Sequence, residues 1–418
     1  MDDLDAEVEL IRSGTVSVKS RRIYRASSAR FITWLIENNP NLVPRSFRNA
    51  CGRELSTKEL RKRVKCLIAD KQNEPLYFER LTAKVFIKWI LSMRKGDGVE
   101  MLSYSSYNSH RSALMKLYRD FSKRVNDDLE NELSNYFKGL KRRIAESAAN
   151  GVEPVKVGKD PLSFAFYNFI CQAMMKSNDK EMIFGRLFLI MCWNLMCRAA
   201  NGFSICYDHM EWKSDSLRVY FAHMKNDQYG ERPRDPRHIY ANPINAEGCP
   251  ILALGMYGLC YGFSDDKHLF SGNNQYDRYR KLLQKCLKMP EVAEELRRRG
   301  MKASDIGTHS IRKGSATFCS SGSTACPPAT AIHLRAGWAM GTVHATYLRY
   351  EAAGDMYVGR TVCGLPQNSA YFAILPPFFQ DNLTEVKHCI DICFPCCPDT
   401  LQFIAEFCLA SLIYHLIH

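Results

Sequence analysis

Several features that would assign a function outright are missing from these 418 residues. There is no glycine-rich loop of the nucleotide-binding kind, so no energy-supplying cofactor is expected. The 17 cysteines are scattered. The cluster near the end, HCIDICFPCC with His388, Cys389, Cys393, Cys396 and Cys397, lacks the paired CxxC spacing of structural zinc, and no metal is assigned. The first residues, MDDLDAEVEL, are acidic and have neither the basic nor the apolar region of a secretory leader, so reduced intracellular thiols are expected. No membrane span is expected either. The apolar stretch from Met182 to Cys197 is interrupted by Arg186 and suits a buried core helix. The terminal LQFIAEFCLASLIYHLIH holds Glu406 and two histidines without a basic anchor, which suits a packed amphipathic helix. No solenoid-type repeat is evident.

What is present is the composition of a folded, multidomain protein, 46% hydrophobic and 24% charged. The formal charge of +13 favours a polyanionic partner, because each lysine or arginine set against a phosphate releases counterions. Residues 1 to 14 show no periodicity and are expected to fray. From Arg22 to Ile36, Tyr24, Phe31, Trp34 and Leu35 share one helical face, while Arg21, Arg22, Arg25 and Arg30 form a basic flank able to face DNA. Further helices are predicted over Thr82 to Arg94, Ser106 to Ser122 and Leu133 to Ala145, the last exposing Lys138, Lys141, Arg142 and Arg143. The span 15–147 therefore reads as a basic, all-helical domain.

The stretch AANGVEPVKVGKDPL suits an extended linker over 148–162, where Lys156 and Lys159 could track a phosphate backbone. Apolar content then rises in Phe164 to Met175 and Met182 to Cys197. Ser216 to His223 and Arg237 to Ala241 read as strands of a small antiparallel sheet. Helices resume at Ile251 to Phe263, Tyr276 to Met289, Glu291 to Arg299 and Ile311 to Cys319.

Six residues spread over about 150 positions carry the chemical signal: Arg198, Lys225, His309, Arg312, Trp338 and Tyr347. Phosphoryl transfer to a tyrosine develops charge on the nonbridging phosphate oxygens, and without a metal that charge must meet fixed donors. Two guanidiniums suit the task, since each forks onto a phosphate and stays charged at working pH. His309 and Arg312, in THSIRKG, are three apart at a helix start and can point at one site. Arg198, in MCRAAN, follows an apolar helical turn and needs either a core acid or a ligand phosphate as partner.

The segment RAGWAMGTVHATYLRY resembles the last catalytic box of the tyrosine recombinase family, with Trp338 after a glycine and Tyr347 nine residues later. Arg198, Lys225 in FAHMKNDQYG, His309 and Arg312 precede it in family order. HSIRKGSAT, ACPPATAIHLRAGW and AGDMYVGRTVCGLP are most similar to recombinases of crypton-type eukaryotic mobile elements. The resemblance covers roughly residues 15 to 378. It implies a mainly α protein: a helical, SAM-like core-binding domain followed by an α+β catalytic domain over 163–364, the two clamping double-stranded DNA. Residues 365–418 are left as a cysteine-rich tail of unknown role.

Carried over by position, Tyr347 attacks the scissile phosphate and forms a 3′-phosphotyrosyl bond. Arg198 and Arg312 hold the nonbridging oxygens, Lys225 protonates the leaving oxygen, His309 bonds the phosphate or handles the tyrosine proton, and Trp338 offers its indole N–H. The phosphodiester energy stays in the tyrosyl ester until religation. The resemblance further implies a homo-oligomer on DNA, a synaptic tetramer, and, together with the basic cluster near Lys141, a nuclear location. One departure stands out: the family usually has a carboxylate three residues after the first arginine, and here Asn201 occupies that position. Tyr350, one helical turn past Tyr347, is a competing nucleophile on position alone. Two alternatives stay open: a non-catalytic DNA-binding descendant of such an enzyme, and a type IB topoisomerase-like nicking and sealing enzyme that uses nearly the same residues.

Overall fold

A computed structural model describes residues 4, 7, 8, 11, 15–52, 55–94, 101–150, 158–221, 235–263, 267–338, 350–380 and 384–417. The chain is mainly helical with one small antiparallel sheet, and it divides between Val157 and Gly158 into two compact units. Most of 1–14 lies outside the described residues.

Among its described residues the first unit is built of helices, apart from one isolated bridge between Arg94 and Met101: α1 (Val18–Asn38), α2 (Arg45–Cys51), α3 (Thr57–Asp70), α4 (Ala83–Ser92), α5 (Tyr104–Asp120) and α6 (Asp127–Ala149). The Ser17 hydroxyl accepts the Ser20 N–H and starts α1. Phe31 and Leu35 of α1 are buried as the periodicity predicts, whereas Tyr24 and Trp34 are only half-buried. Phe31 meets Phe86 at 5.3 Å and Trp89 at 4.8 Å between ring centroids, which fixes α1 on α4. Helix α3 goes unrecognised in the periodicity, although Ser56 and Glu59 form a reciprocal capping box at its start. Asp127, Asp128 and Glu130 extend α6 one turn and more ahead of its predicted start, where acids complement the helix dipole.

The second unit comprises α7 (Phe164–Lys176), α8 (Lys180–Asn194), α9 (Ala199–Phe203), β1 (Met210–Lys213), β2 (Ser216–Val219), β3 (Arg237–Ile239), α10 (Pro250–Tyr261), α11 (Gln275–Cys286), α12 (Pro290–Arg298), α13 (Thr308–Ser321), α14 (Ala329–Ala336), α15 (Ala352–Val362), α16 (Thr384–Cys393) and α17 (Gln402–Ile417). Helix α8 is the predicted core helix, and its Arg186 is buried with it. The guanidinium is satisfied by main-chain oxygens, Nε to Glu247 at 3.0 Å and Nη2 to Ala246 at 2.6 Å. The Trp193 ring stacks on Tyr167 at 4.2 Å and its indole N–H donates to the Val362 carbonyl at 2.9 Å.

The sheet runs β1-β2-β3, with Met210 opposite Val219 and Leu217 opposite Ile239. Both predicted strands are present but shorter, and β1 is additional, its four residues too few for an alternating pattern to register. The hairpin carrying Lys225 lies outside the described residues.

Two boundaries differ from the sequence reading. Residues 158–162 belong to the second unit, because Asp160 N–H bonds the Asp305 carbonyl at 2.9 Å and Leu162 N–H bonds Ser310 at 3.0 Å. Nor is the cysteine-rich tail separate. Helix α17 packs on α10, where Gly255 leaves room for the Cys408 carbonyl, and Phe407 stacks on Trp212 at 3.8 Å. Among the described residues, Asp399–Ile417 is the one helical stretch long and apolar enough to cross a membrane. Its Ile404, Ala405, Cys408 and Leu409 are buried within the unit, while Phe403 and Leu416 are exposed.

Candidate functional site

The second unit gathers arginines from three separate stretches of chain. Arg198 caps α9: its carbonyl accepts the N–H groups of Asn201 at 2.8 Å and Gly202 at 3.0 Å, and its half-buried side chain leaves the core where apolar α8 ends. Arg312 sits in the second turn of α13 and is 8% exposed. One of its N–H groups, on Nη2, donates to the Ala336 carbonyl at 2.6 Å, and its Cζ lies 5.8 Å from the Trp338 ring centroid. Trp338 follows Gly337, whose φ of +65° ends α14 and turns the chain back. There the Trp338 N–H donates to the His333 carbonyl at 3.0 Å while the two rings meet at 5.2 Å.

The helix carrying Arg312 is held closely. Ser310 accepts the Gly307 N–H at 3.1 Å, and Gly314 lies so near Leu162 that a Cβ there would run into the Leu162 backbone. His309, in the first turn of α13, is exposed.

Sequence reasoning did not single out Arg237. In the structure it is a third, buried guanidinium, with Nε donating to the Arg335 carbonyl at 2.7 Å and Cζ 4.7 Å over the Phe221 ring. All three residues of β3 are buried, so no alternation marked the arginine as unusual. Burial, and then the charges of Arg198 and Arg237, push the Arg312 guanidinium down to about 10. The described groups acting on it are those two arginines and the Cys197 thiol, with no carboxylate among them. Arg237 in turn feels the carboxylates of Asp355 and Asp235, so the repulsion between Arg198 and Arg312 is what a bound anion would relieve.

A buried polar network adjoins the arginines, its Asp355 carboxylate acting on Arg237. Asp355 of α15 pairs with Arg335 at 2.7 Å and accepts from His238 through Nδ1 at 2.9 Å and through the backbone N–H at 2.8 Å. Arg335 also donates to the carbonyls of Asn194 and His238. The end of α8, strand β3, α14 and α15 are thereby tied at one point. Burial raises the Asp355 carboxyl, but Arg335 and the two His238 donors outweigh it and hold the group below the usual carboxylate range.

Of the six residues predicted to act, Arg198, Arg312 and Trp338 converge, and His309 is one helical turn from Arg312. Lys225 and Tyr347 lie outside the described residues. Tyr350 is described: its hydroxyl donates to the Pro236 carbonyl at 3.0 Å, and burial, followed by Asp355 and Asp235, pushes its pKa upward, both unfavourable to a nucleophile.

The predicted DNA-facing residues separate. Arg21 and Arg25 border a hollow in the first unit, Arg22 and Arg30 are exposed on α1, and Lys141 and Arg142 are exposed on α6. Lys156 is outside the described residues. The Lys159 ammonium is engaged by the Ser304 carbonyl, so it braces the start of α13. Among the described residues, no three His, Cys, Asp or Glu side chains are placed to hold a metal ion.

No protein-family model and no curated protein matches this sequence. The fold is similar to solved site-specific recombinases at low identity. XerH bound to its difH substrate, in a pre-cleavage complex, aligns at TM-score 0.39 and 11% identity over 80% of this chain and 94% of that one. A FLP recombinase–Holliday junction complex aligns at 0.40 and 10% identity over 73% and 78%. A Flpe–Holliday junction complex aligns at 0.41 and 10% identity over 97% and 98%. Similarity at that level leaves the functional reading to the residues of the site.

Proposed function

We propose that the protein is a site-specific DNA recombinase that cuts and rejoins double-stranded DNA through a 3′-phosphotyrosyl intermediate at Tyr347. The observation that carries this reading is the gathering of Arg198, Arg312 and Arg237 around one place with Trp338 beside it and no carboxylate acting on Arg312. A phosphodiester fits such a place. Its nonbridging oxygens accept from Arg198 and from the Arg312 donors not used by Ala336.

In the step itself, the Tyr347 oxygen forms a bond to phosphorus as the bond from phosphorus to the 5′ oxygen breaks. The tyrosine proton passes to His309 or solvent, and Lys225 supplies a proton to the departing 5′-hydroxyl. Religation reverses these transfers, so the phosphodiester bond energy is conserved in the ester. Trp338, held by His333 and Gly337, closes one side of the phosphate and can donate its indole N–H to it. Membership of a crypton-type mobile element, assembly as a tetramer on DNA and a nuclear location belong to the same proposal and rest on the sequence resemblance.

A nicked suicide duplex, from which the cleaved fragment diffuses away, tests the reading. The parent protein should trap a covalent adduct, and Tyr347→Phe should abolish it while leaving duplex affinity nearly unchanged. Duplex binding with no adduct would identify a DNA-binding descendant, the outcome towards which Asn201 leans. Relaxation of supercoiled plasmid by a monomer would identify a nicking and sealing enzyme.

A further inference from the structure

The first unit contains a hollow of about 340 Å³ among the start of α1, the last turns of α3 and those of α5. Five cationic side chains border it, Arg21, Arg25, Lys71, Lys116 and Arg119, together with one carboxylate, Asp120. That acid is already taken, since Lys116 pairs with it at 2.7 Å. Tyr24, half-buried, forms part of the wall beside Ser28.

An ordinary structural reason covers only some of these charges. Lys71 and Arg119 lie at helix C-termini, where cations offset the helix dipole, and Lys116 is paired with Asp120. Arg21 and Arg25 are not at a C-terminus. Arg21 occupies the first turn of α1, where the dipole disfavours cations and no acid compensates, and Arg25, one turn on, gains nothing from the dipole. Two arginines that the helix dipole does not explain, bordering the same hollow as Lys71 and Arg119, indicate an anion in it.

The shape selects the class of anion. The volume corresponds to a sphere ~9 Å across; a duplex strand advances roughly 3.4 Å of axis per phosphate but winds about that axis, so its phosphates lie further apart than this and a backbone lays only about one or two charges over the rim. A chain of directly linked phosphoryl groups concentrates its charge inside such a space, and a volume near 300 Å³ is that of a small-molecule site.

We infer that this hollow binds a compact polyphosphate, either a nucleoside triphosphate or a free polyphosphate chain, held by side chains rather than by a glycine loop. Arg21, Arg25, Lys71 and Arg119 meet the phosphoryl oxygens, and Tyr24 offers an aromatic face to a base where one is attached. The inference is independent of strand transfer in the second unit.

Calorimetry on the full chain with sodium tripolyphosphate and with ATP tests it. One equivalent of tripolyphosphate should bind with micromolar affinity. A Lys71→Asn/Arg119→Gln variant, both positions exposed and asparagine tolerating the left-handed backbone at 71 (φ 56°), should bind at least tenfold more weakly. ATP binding tenfold more tightly than tripolyphosphate, with the gain lost in Tyr24→Ala, would identify a nucleotide; equal affinities would identify the phosphate chain alone. Absence of one-to-one binding, or binding the double variant leaves unchanged, overturns the inference. So does tripolyphosphate binding that a duplex abolishes while the double variant weakens duplex binding by the same factor, which would make the hollow part of a DNA-binding face. The suicide-duplex adduct reports separately on the second unit, so the two readings can fail independently.

Discussion

Arg312 has its charge pushed down to about 10 by burial and by two neighbouring arginines, yet a guanidinium remains charged at neutral pH. A lysine there would not have that reserve. Its ordinary pKa of about 10.4 starts well below that of arginine, and the same surroundings would drive it further down. In Arg312→Lys, cleavage should therefore fall with rising pH at a lower pH than in the parent, which a pH–rate profile with the suicide duplex measures. An alkaline limb that stays put would show that the charge at 312 is not what the phosphate uses. Arg312→Ala should slow cleavage by roughly two to three orders of magnitude, the scale for losing one preorganised donor. Asp355 acts on stability instead. Asp355→Asn leaves Arg335 buried without its counter-charge and should cost about 3–5 kcal/mol in denaturant unfolding. Because the folded carboxyl titrates below its ordinary value, that contribution is complete above about pH 4 and lost as pH falls through the lower folded value. The gap between parent and variant should accordingly narrow in acid.

Helix α13 shows how an element transmits packing to the site. A methyl group on Gly314 would collide with the Leu162 backbone, so Gly314→Ala must displace either the helix or residues 158–162. Overpacking of this kind costs typically 1–3 kcal/mol, and Arg312 and His309 ride on the same helix. The variant should lose cleavage activity out of proportion to its loss of stability, with duplex binding largely retained; equal loss in adduct rate and folded fraction would place the effect in unfolding alone. The order of the helices was legible because apolar periodicity survives in a single sequence: Phe31, Leu35, Trp89 and Leu117 all face the cores the pattern assigned them. Helix α3 escaped because Leu60, Val64, Leu67 and Ile68 are spaced among five Lys and Arg residues, leaving only its capping box as a signal. Of the candidate site, residue types and spacing marked Arg198, His309, Arg312 and Trp338. Arg237 went unmarked, since a buried strand arginine held by a distant carbonyl, that of Arg335, leaves no local trace. That the terminal segment packs as a helix was legible from its composition, but where it packs was not. Its place on α10 depends on Gly255, about 150 positions earlier, leaving room for the Cys408 carbonyl.

For the molecule as a whole, the excess of +13 favours an anionic partner, and the number of phosphates its cations meet sets how binding should respond to salt. Each phosphate neutralised by a cation releases counterions, so the logarithm of duplex affinity should fall linearly with the logarithm of salt concentration, by roughly 0.9 per contact. Exposed Arg22, Arg30, Lys141 and Arg142, on α1 and α6, are the candidates for such contacts in the first unit. Changing all four to glutamine should make the slope shallower by about 0.9 for each residue that meets a phosphate, while weakening every duplex sequence alike, because phosphate contacts position a protein without reading bases. Fluorescence anisotropy of a labelled duplex across a salt series measures both. Since these residues lie in a different unit from the arginine site, the variant should still form the tyrosyl adduct once protein concentration is raised to restore occupancy. A slope identical to the parent's would place the duplex on other surfaces. A lost adduct at full occupancy would show that α1 and α6 help to assemble the reacting site as well as to hold DNA.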